Sequence, residues 1–178
     1  MKKALVVFIS VLFVTGFFPL PVSADDTLVG FKGGIGVIPV SSGVKQSATT
    51  EIVNRNIVLG VQPPGQIWRI SDLDAKVKTN GDIQVRGEGL LLAGGNGIGT
   101  NAGQSVAATL FCGPTATFST SPGVPLEANG DFKIKDTLDN LPLPAICANP
   151  VLLIRSFNNA TGLGAWFAAG IPKTDDGD

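Results

Sequence analysis

Apolar and polar residues alternate most regularly over residues 73–92, LDAKVKTNGDIQVRGEGLLL. Ala75, Val77 and Thr79 take turns with Lys76 and Lys78. Beyond Asn80-Gly81, Ile83 and Val85 take turns with Gln84, Arg86 and Glu88. A period of two places one set on each face of a strand. Asn-Gly tolerates positive φ, so the pattern predicts a β-hairpin closed by a two-residue type I′ turn, with one face on a core and the other in water. The logic recurs further on, where Asn129-Gly130 precedes Phe132 and Ile134 alternating with Lys133 and Lys135.

The remaining chain reads as short strands between turns. Residues 31–40 predict a first strand, and Gly33-Gly34 within it predicts a bulge or bend at a sheet edge. Ser41-Ser42-Gly43 reads as a turn and residues 44–55 as loop or edge strand. Strands are expected at 56–62 and 66–70, on either side of the turn Pro63-Pro64-Gly65. Leu90-Leu91-Leu92 is apolar on both faces, as in a strand covered by a second layer. Further strands fall at 105–112, 115–121, 151–157 and 164–169, with residues 158–162 as a hairpin loop and 141–150 irregular. No stretch keeps apolar residues at helical spacing for three turns, so almost no helix is expected. Eight to ten short strands of this kind predict an all-β, antiparallel fold. An immunoglobulin-like β-sandwich is the expected architecture and a closed β-barrel the alternative.

Domain organisation follows from the ends. Lys2 and Lys3, an apolar run over 4–18, then Pro19, Pro21 and the small residues of Val22-Ser23-Ala24 predict a signal peptide over residues 1–24. The run is short for a membrane span, and no span is expected once it is cleaved. Residues 25–172 are expected to form one domain, and 173–178 a disordered acidic tail. Without Lys2 and Lys3, eleven Lys and Arg face fourteen Asp and Glu, a net charge of −3. Nucleic acid is therefore not an expected partner. Cys112 and Cys147 are the only cysteines and allow one pairing; in a secreted or periplasmic protein a disulfide is the expectation.

The runs FKGGIGVIPVSSG, PPGQIW, GEGLLLAGG, CANPVLLIRS and GAWFAAG resemble segments of small uncharacterised secreted bacterial proteins, β-rich and immunoglobulin-like. That resemblance implies an exported β domain and brings no activity with it.

Candidate chemistry is narrowed most by what is missing. The sequence has no His and no Tyr, which removes Ser-His-Asp and Cys-His catalysis and histidine-bound zinc. Asp72 and Asp74 lie two apart and would share a strand face, the minimum for carboxylate-based glycoside hydrolysis or an oxygen-ligand calcium site; a solvated strand end is the plainer reading. Asp136 with Asp139, and Asp82 with Glu88, are weaker pairs. GGNGIGTNA only begins like a calcium-binding nonapeptide, with Gly99 where the aspartate should stand. Gly97-x-Gly99-x-x-Ala102 lacks the following helix that a dinucleotide site requires, and Gly103-x-Ser105-x-Ala107 is not a nucleophile elbow. Trp68 and Trp166 sit in apolar runs and read as core.

No cofactor and no metal are expected. The favoured function is a secreted non-enzymatic module, structural or binding an extracellular protein or glycan through loops. The first candidate is the loop carrying Gly94, Gly95, Asn96, Gly97 and Asn101. The alternatives are a carboxylate-dependent hydrolase of cell-surface polysaccharide, and an inhibitor or adhesin that binds another protein.

Overall fold

The computed structural model describes residues 26–44 and 51–173. The expected signal peptide lies outside them, as does the tail beyond Lys173. Thirteen strands are present and no helix among the described residues: β1 (Thr27–Gly36), β2 (Val40–Val44), β3 (Glu51–Arg55), β4 (Trp68–Arg69), β5 (Asp72–Lys78), β6 (Asp82–Glu88), β7 (Leu91–Leu92), β8 (Ser105–Cys112), β9 (Ala116–Ser119), β10 (Val124–Pro125), β11 (Phe132–Thr137), β12 (Pro150–Asn158) and β13 (Gly162–Pro172).

Nine of them form one antiparallel sheet in the order β10-β8-β12-β13-β1-β5-β6-β11, with β9 also on β8. The sheet curls into a half-barrel around its apolar face. Its all-β, antiparallel character is as the alternation predicts. The ladder displays one curled sheet and does not establish an immunoglobulin-like sandwich. The closed-barrel alternative is corrected, because among the described residues no ladder joins β10 to β11.

The curl is centred on β1. Its first half pairs with β5 and its second half with β13, and the register with β13 shifts between Phe31 and Gly34. Gly33, at φ 85°, lets the strand bend while it changes partner. The expected bulge is therefore present, but β1 lies in the middle of the sheet rather than at an edge. The strand also stops at Gly36.

The β5–β6 hairpin buries Leu73, Ala75, Val77, Ile83 and Val85, as its alternation requires. Facing Phe132 across the β6–β11 pair stands Gly87, and a Cβ there would overlap the Phe132 ring. The aromatic ring thus occupies the space a side chain would take. The core continues through Phe31, Leu110, Leu152, Ile154, Trp68 and Phe167, and the last two rings stack at 4.2 Å and 11°.

Two turns differ from expectation. Asn80-Gly81 is not a two-residue type I′ turn: Thr79, Asn80 and Gly81 all lie between the strands, and only Gly81 has positive φ, at 93°. The Gly81 amide donates to the Lys78 carbonyl at 3.0 Å, the arrangement of a type I turn followed by a left-handed glycine. Asn129-Gly130 repeats it, with Gly130 N donating to Glu127 O at 2.8 Å. In both turns the Asn side chain accepts from the next Asp amide and donates to that Asp carboxylate.

The strand expected at 56–62 is instead a tight reversal. Val58 and Val61 exchange hydrogen bonds while Leu59 and Gly60 take φ of 46° and 82°. Residues 41–43, expected as a turn, are part of β2. Of the strand expected at 66–70, only Trp68–Arg69 pairs, with Leu91–Leu92. Leu90, Leu91 and Leu92 are all buried, as expected for a covered strand.

Cys112 and Cys147 form the predicted disulfide, with Cα atoms 4.7 Å apart. It ties the end of β8 to the irregular segment after β11. That segment also carries local links across the open side of the curl. Asp139 Oδ1 accepts from Ser119 N at 2.6 Å and Asp139 N donates to Ser119 O at 2.9 Å, while Asp136, still within β11, accepts from Ser121 N through Oδ2 at 3.1 Å. Carboxylates here do part of what a strand ladder would do. Ser119 is buried, so Asp139→Ala should cost about 1–3 kcal/mol by stranding its amide. Asp139→Asn keeps an acceptor and should lose less; urea unfolding of both variants measures the difference.

Candidate functional site

The glycine-rich loop is an ordered, pinned segment. Leu92 N donates to Thr100 O and Gly99 N to Leu92 O, so its far end folds back on β7. Thr100 Oγ1 donates to Gly97 O at 2.7 Å. Asn101 uses both ends of its amide internally: Nδ2 reaches the carbonyls of Leu126 and Glu127, both at 3.0 Å, and Oδ1 accepts from Gly103 N. The glycines serve the turns. Gly95 sits at φ 75°, and a Cβ on Gly97 would come within 2.9 Å of Leu92. Gly94 is partly covered, and Asn96 is exposed at the tip. Of the five residues expected to form the binding loop, Gly95, Gly97 and Asn101 therefore have structural tasks.

The end of this loop lines one wall of a groove. There Gln104 and Ser105 meet Ser156, Asn158, Asn159 and Thr161 around a cavity of about 460 Å³. The β8–β12 ladder makes the meeting possible, since it sets Ser105 opposite Phe157 at the same end of the sheet as the β12–β13 loop. Gly123 closes the third side, where a Cβ would lie 2.5 Å from Phe157. Asn158 Oδ1 accepts from Ala160 N at 2.8 Å and fixes the hairpin loop. No residue lining this groove is charged. It offers hydroxyl and amide groups that can donate to and accept from a neutral polar ligand. Asn158, Asn159 and Thr161 read in the sequence as a hairpin loop that holds a glycosylation sequon in form, Asn159-Ala160-Thr161, and not as a binding site.

The carboxylates expected as an alternative site stand elsewhere, each with a partner. Asp72 and Asp74 lie side by side on β5, on its outward face, with Lys32 Nζ at 3.9 and 3.1 Å. The hydrogen bond to Asp74 and the charge of Asp72 hold the Lys32 ammonium above its ordinary pKa. Glu88 pairs with Arg86 at 2.7 Å. Asp82 accepts from Asn80 and Thr137, and these hydrogen bonds hold its carboxyl below the usual carboxylate range. A lowered folded value means that the stabilisation is present at neutral pH and is lost as pH falls through that value.

Trp68 and Trp166 are core residues, as expected, each 4% exposed. Trp166 Nε1 donates to Asn56 O at 3.0 Å. Among the described residues there is no group of three or more His, Cys, Asp or Glu placed to hold a metal ion. Ser105 opens β8 within the ladder rather than sitting on a strand-to-helix turn.

Comparison with known proteins finds no family model, no curated protein and no solved structure that matches the chain.

Proposed function

We propose that this chain is an exported, non-enzymatic β module that binds a neutral, hydroxyl-rich glycan segment in the groove between Gln104 and the β12–β13 loop. The observation that carries this reading is the lining: hydroxyls, amides and glycine backbone beside Pro125 and Phe157, without charge, at one end of the sheet. Sugar hydroxyls exchange donor and acceptor roles freely, and Asn, Gln, Ser and Thr match them. Export accords with the leader-like residues 1–24 and with the disulfide, which favours an oxidising compartment. On this reading the chain falls with the small secreted bacterial proteins its segments resemble. The partnering of Asp72 and Asp74 with Lys32 supports a binding role over a hydrolytic one.

The test is calorimetric titration of the processed protein with neutral β-glucan, xylan and chitin oligosaccharides. At least one should bind, and Gln104→Ala combined with Asn159→Ala should weaken it roughly tenfold, as expected for two lost hydrogen bonds. Absence of binding by all three, or binding that the double variant leaves unchanged, would overturn the reading.

A further inference from the structure

The edges of the main sheet are guarded. β11 ends the sheet order and carries Lys133 and Lys135, and lysines on an edge strand discourage pairing with another chain. β10, at the other end, is two residues long and one of them is Pro125. On β9, Ser119 is tied to Asp139. The pair β2–β3 is different. Among the described residues these strands pair only with each other. Neither contains lysine or proline. A two-stranded ribbon is marginally stable in water, and its open edges are templates for a further strand.

The register shows what the open edge of β3 offers. Val40 stands opposite Arg55, and one step beyond them Asn56 N donates to Pro39 O at 2.9 Å. Main-chain direction alternates along an antiparallel strand. Ile52 and Asn54 therefore turn their N–H and C=O groups to β2, whereas Glu51, Val53 and Arg55 turn theirs away from it. These three positions are symmetric about Val53 in the strand EIVNR. A second β3, antiparallel and centred on Val53, would exchange hydrogen bonds with it there. It would also set Glu51 of each copy opposite Arg55 of the other. Opposite charges directly across a strand pair attract, and two-fold symmetry makes the contact twice. A slip of two residues loses both charge pairs. Arg55 Nη2 donates to Pro63 O at 3.1 Å, and a guanidinium keeps further donors for a carboxylate. Ile38 and Ile57, at the base of the ribbon, are exposed and leave apolar surface for a join to cover.

We propose that β3 pairs with β3 of a second copy of this chain, so that the two ribbons become one continuous antiparallel sheet across a two-fold axis. Charge complementarity selects this occupant over an unrelated strand. It also selects β3 over β2, which has no charged residue. The pairing does not depend on what fills the end groove.

Analytical ultracentrifugation of the processed protein should show a reversible equilibrium between monomer and dimer. Glu51→Arg and Arg55→Glu should each weaken the dimer roughly tenfold, because each sets like charges across both pairs. An equimolar mixture of the two variants should associate within about twofold of the unaltered chain, since every pair across the axis is again opposite in charge. Val53→Pro should abolish the dimer. It removes an amide that faces away from β2, so the ribbon keeps its own ladder. If the proline disturbs the ribbon, the charge variants and their mixture decide the matter. A monomer at every concentration up to about 1 mM, a dimer unchanged by Val53→Pro or by either charge reversal, or a mixture that fails to associate would each overturn the proposal.

Discussion

Gly130→Ala should destabilise the fold by about 2–5 kcal/mol, which joins a left-handed backbone penalty to the cost of overpacking. Gly130 has φ 85°, and a Cβ there would lie 2.6 and 2.7 Å from the backbone N and O of Leu90. Leu90 N also donates to Gly130 O at 2.9 Å, so the two segments cannot separate without losing that bond. Gly81 is the control. It occupies the same place in the same kind of turn at φ 93°, yet its neighbour is the end of the flexible Leu141 side chain. Gly81→Ala should therefore cost nearer to the backbone penalty alone, about 1–2 kcal/mol. Denaturant unfolding of the pair measures the gap. Equal losses would show that the contact with Leu90 relaxes freely.

Removal of the disulfide should be the other large effect. Cys112 and Cys147 are 35 residues apart, and closing a loop of that length constrains the unfolded chain by about 4 kcal/mol on the entropic model. The native side matters as well. The irregular segment after β11 has no sheet partner among the described residues; its anchors include the cystine, the Asp139 links to Ser119, the hydrogen bond from Leu138 N to Gly81 O and the packing of Leu138 and Leu143 on the core. Cys112→Ala with Cys147→Ala should lower the denaturant midpoint and raise hydrogen exchange first in residues 138–149. If exchange in β8 and β12 rose equally, the bond would be holding the whole sheet rather than its flap.

How much of this was legible in the sequence depended on whether the decisive interaction was local. Residues 73–92 were readable because each position's neighbours along the chain already divide core from solvent. The cystine was readable because two cysteines allow one pairing. Asn80-Gly81 was half readable: the dipeptide marks a reversal, but two turn types accept it. The Val77–Ile83 register that selects between them belongs to the partner strand. Residues 56–62 misled because Leu59 takes a left-handed φ of 46°, a conformation that leucine gives no reason to expect. The central place of β1 was hidden for a similar reason, since its glycines announce a bend and not the neighbours on either side.

The end groove had no local signal. It is assembled from residues near 104, 123 and 156–164, which the β8–β12 ladder draws together. The loop that composition singled out does touch the groove, through Gly103 and Gln104 rather than through Asn96 or Asn101.

The paired Asn-Gly turns bear on chemical ageing. Deamidation at such a dipeptide begins when the glycine nitrogen attacks the asparagine side chain to form a succinimide. Here the nitrogens of Gly81 and Gly130 are committed to the carbonyls of Lys78 and Glu127, and each asparagine amide is held by its following aspartate. Folding thus shields two of the three Asn-Gly bonds in the chain and leaves Asn96-Gly97 at the exposed loop tip without that arrangement. The rate of isoaspartate accumulation at Asn80 and Asn129 then becomes a slow clock of how often each hairpin opens.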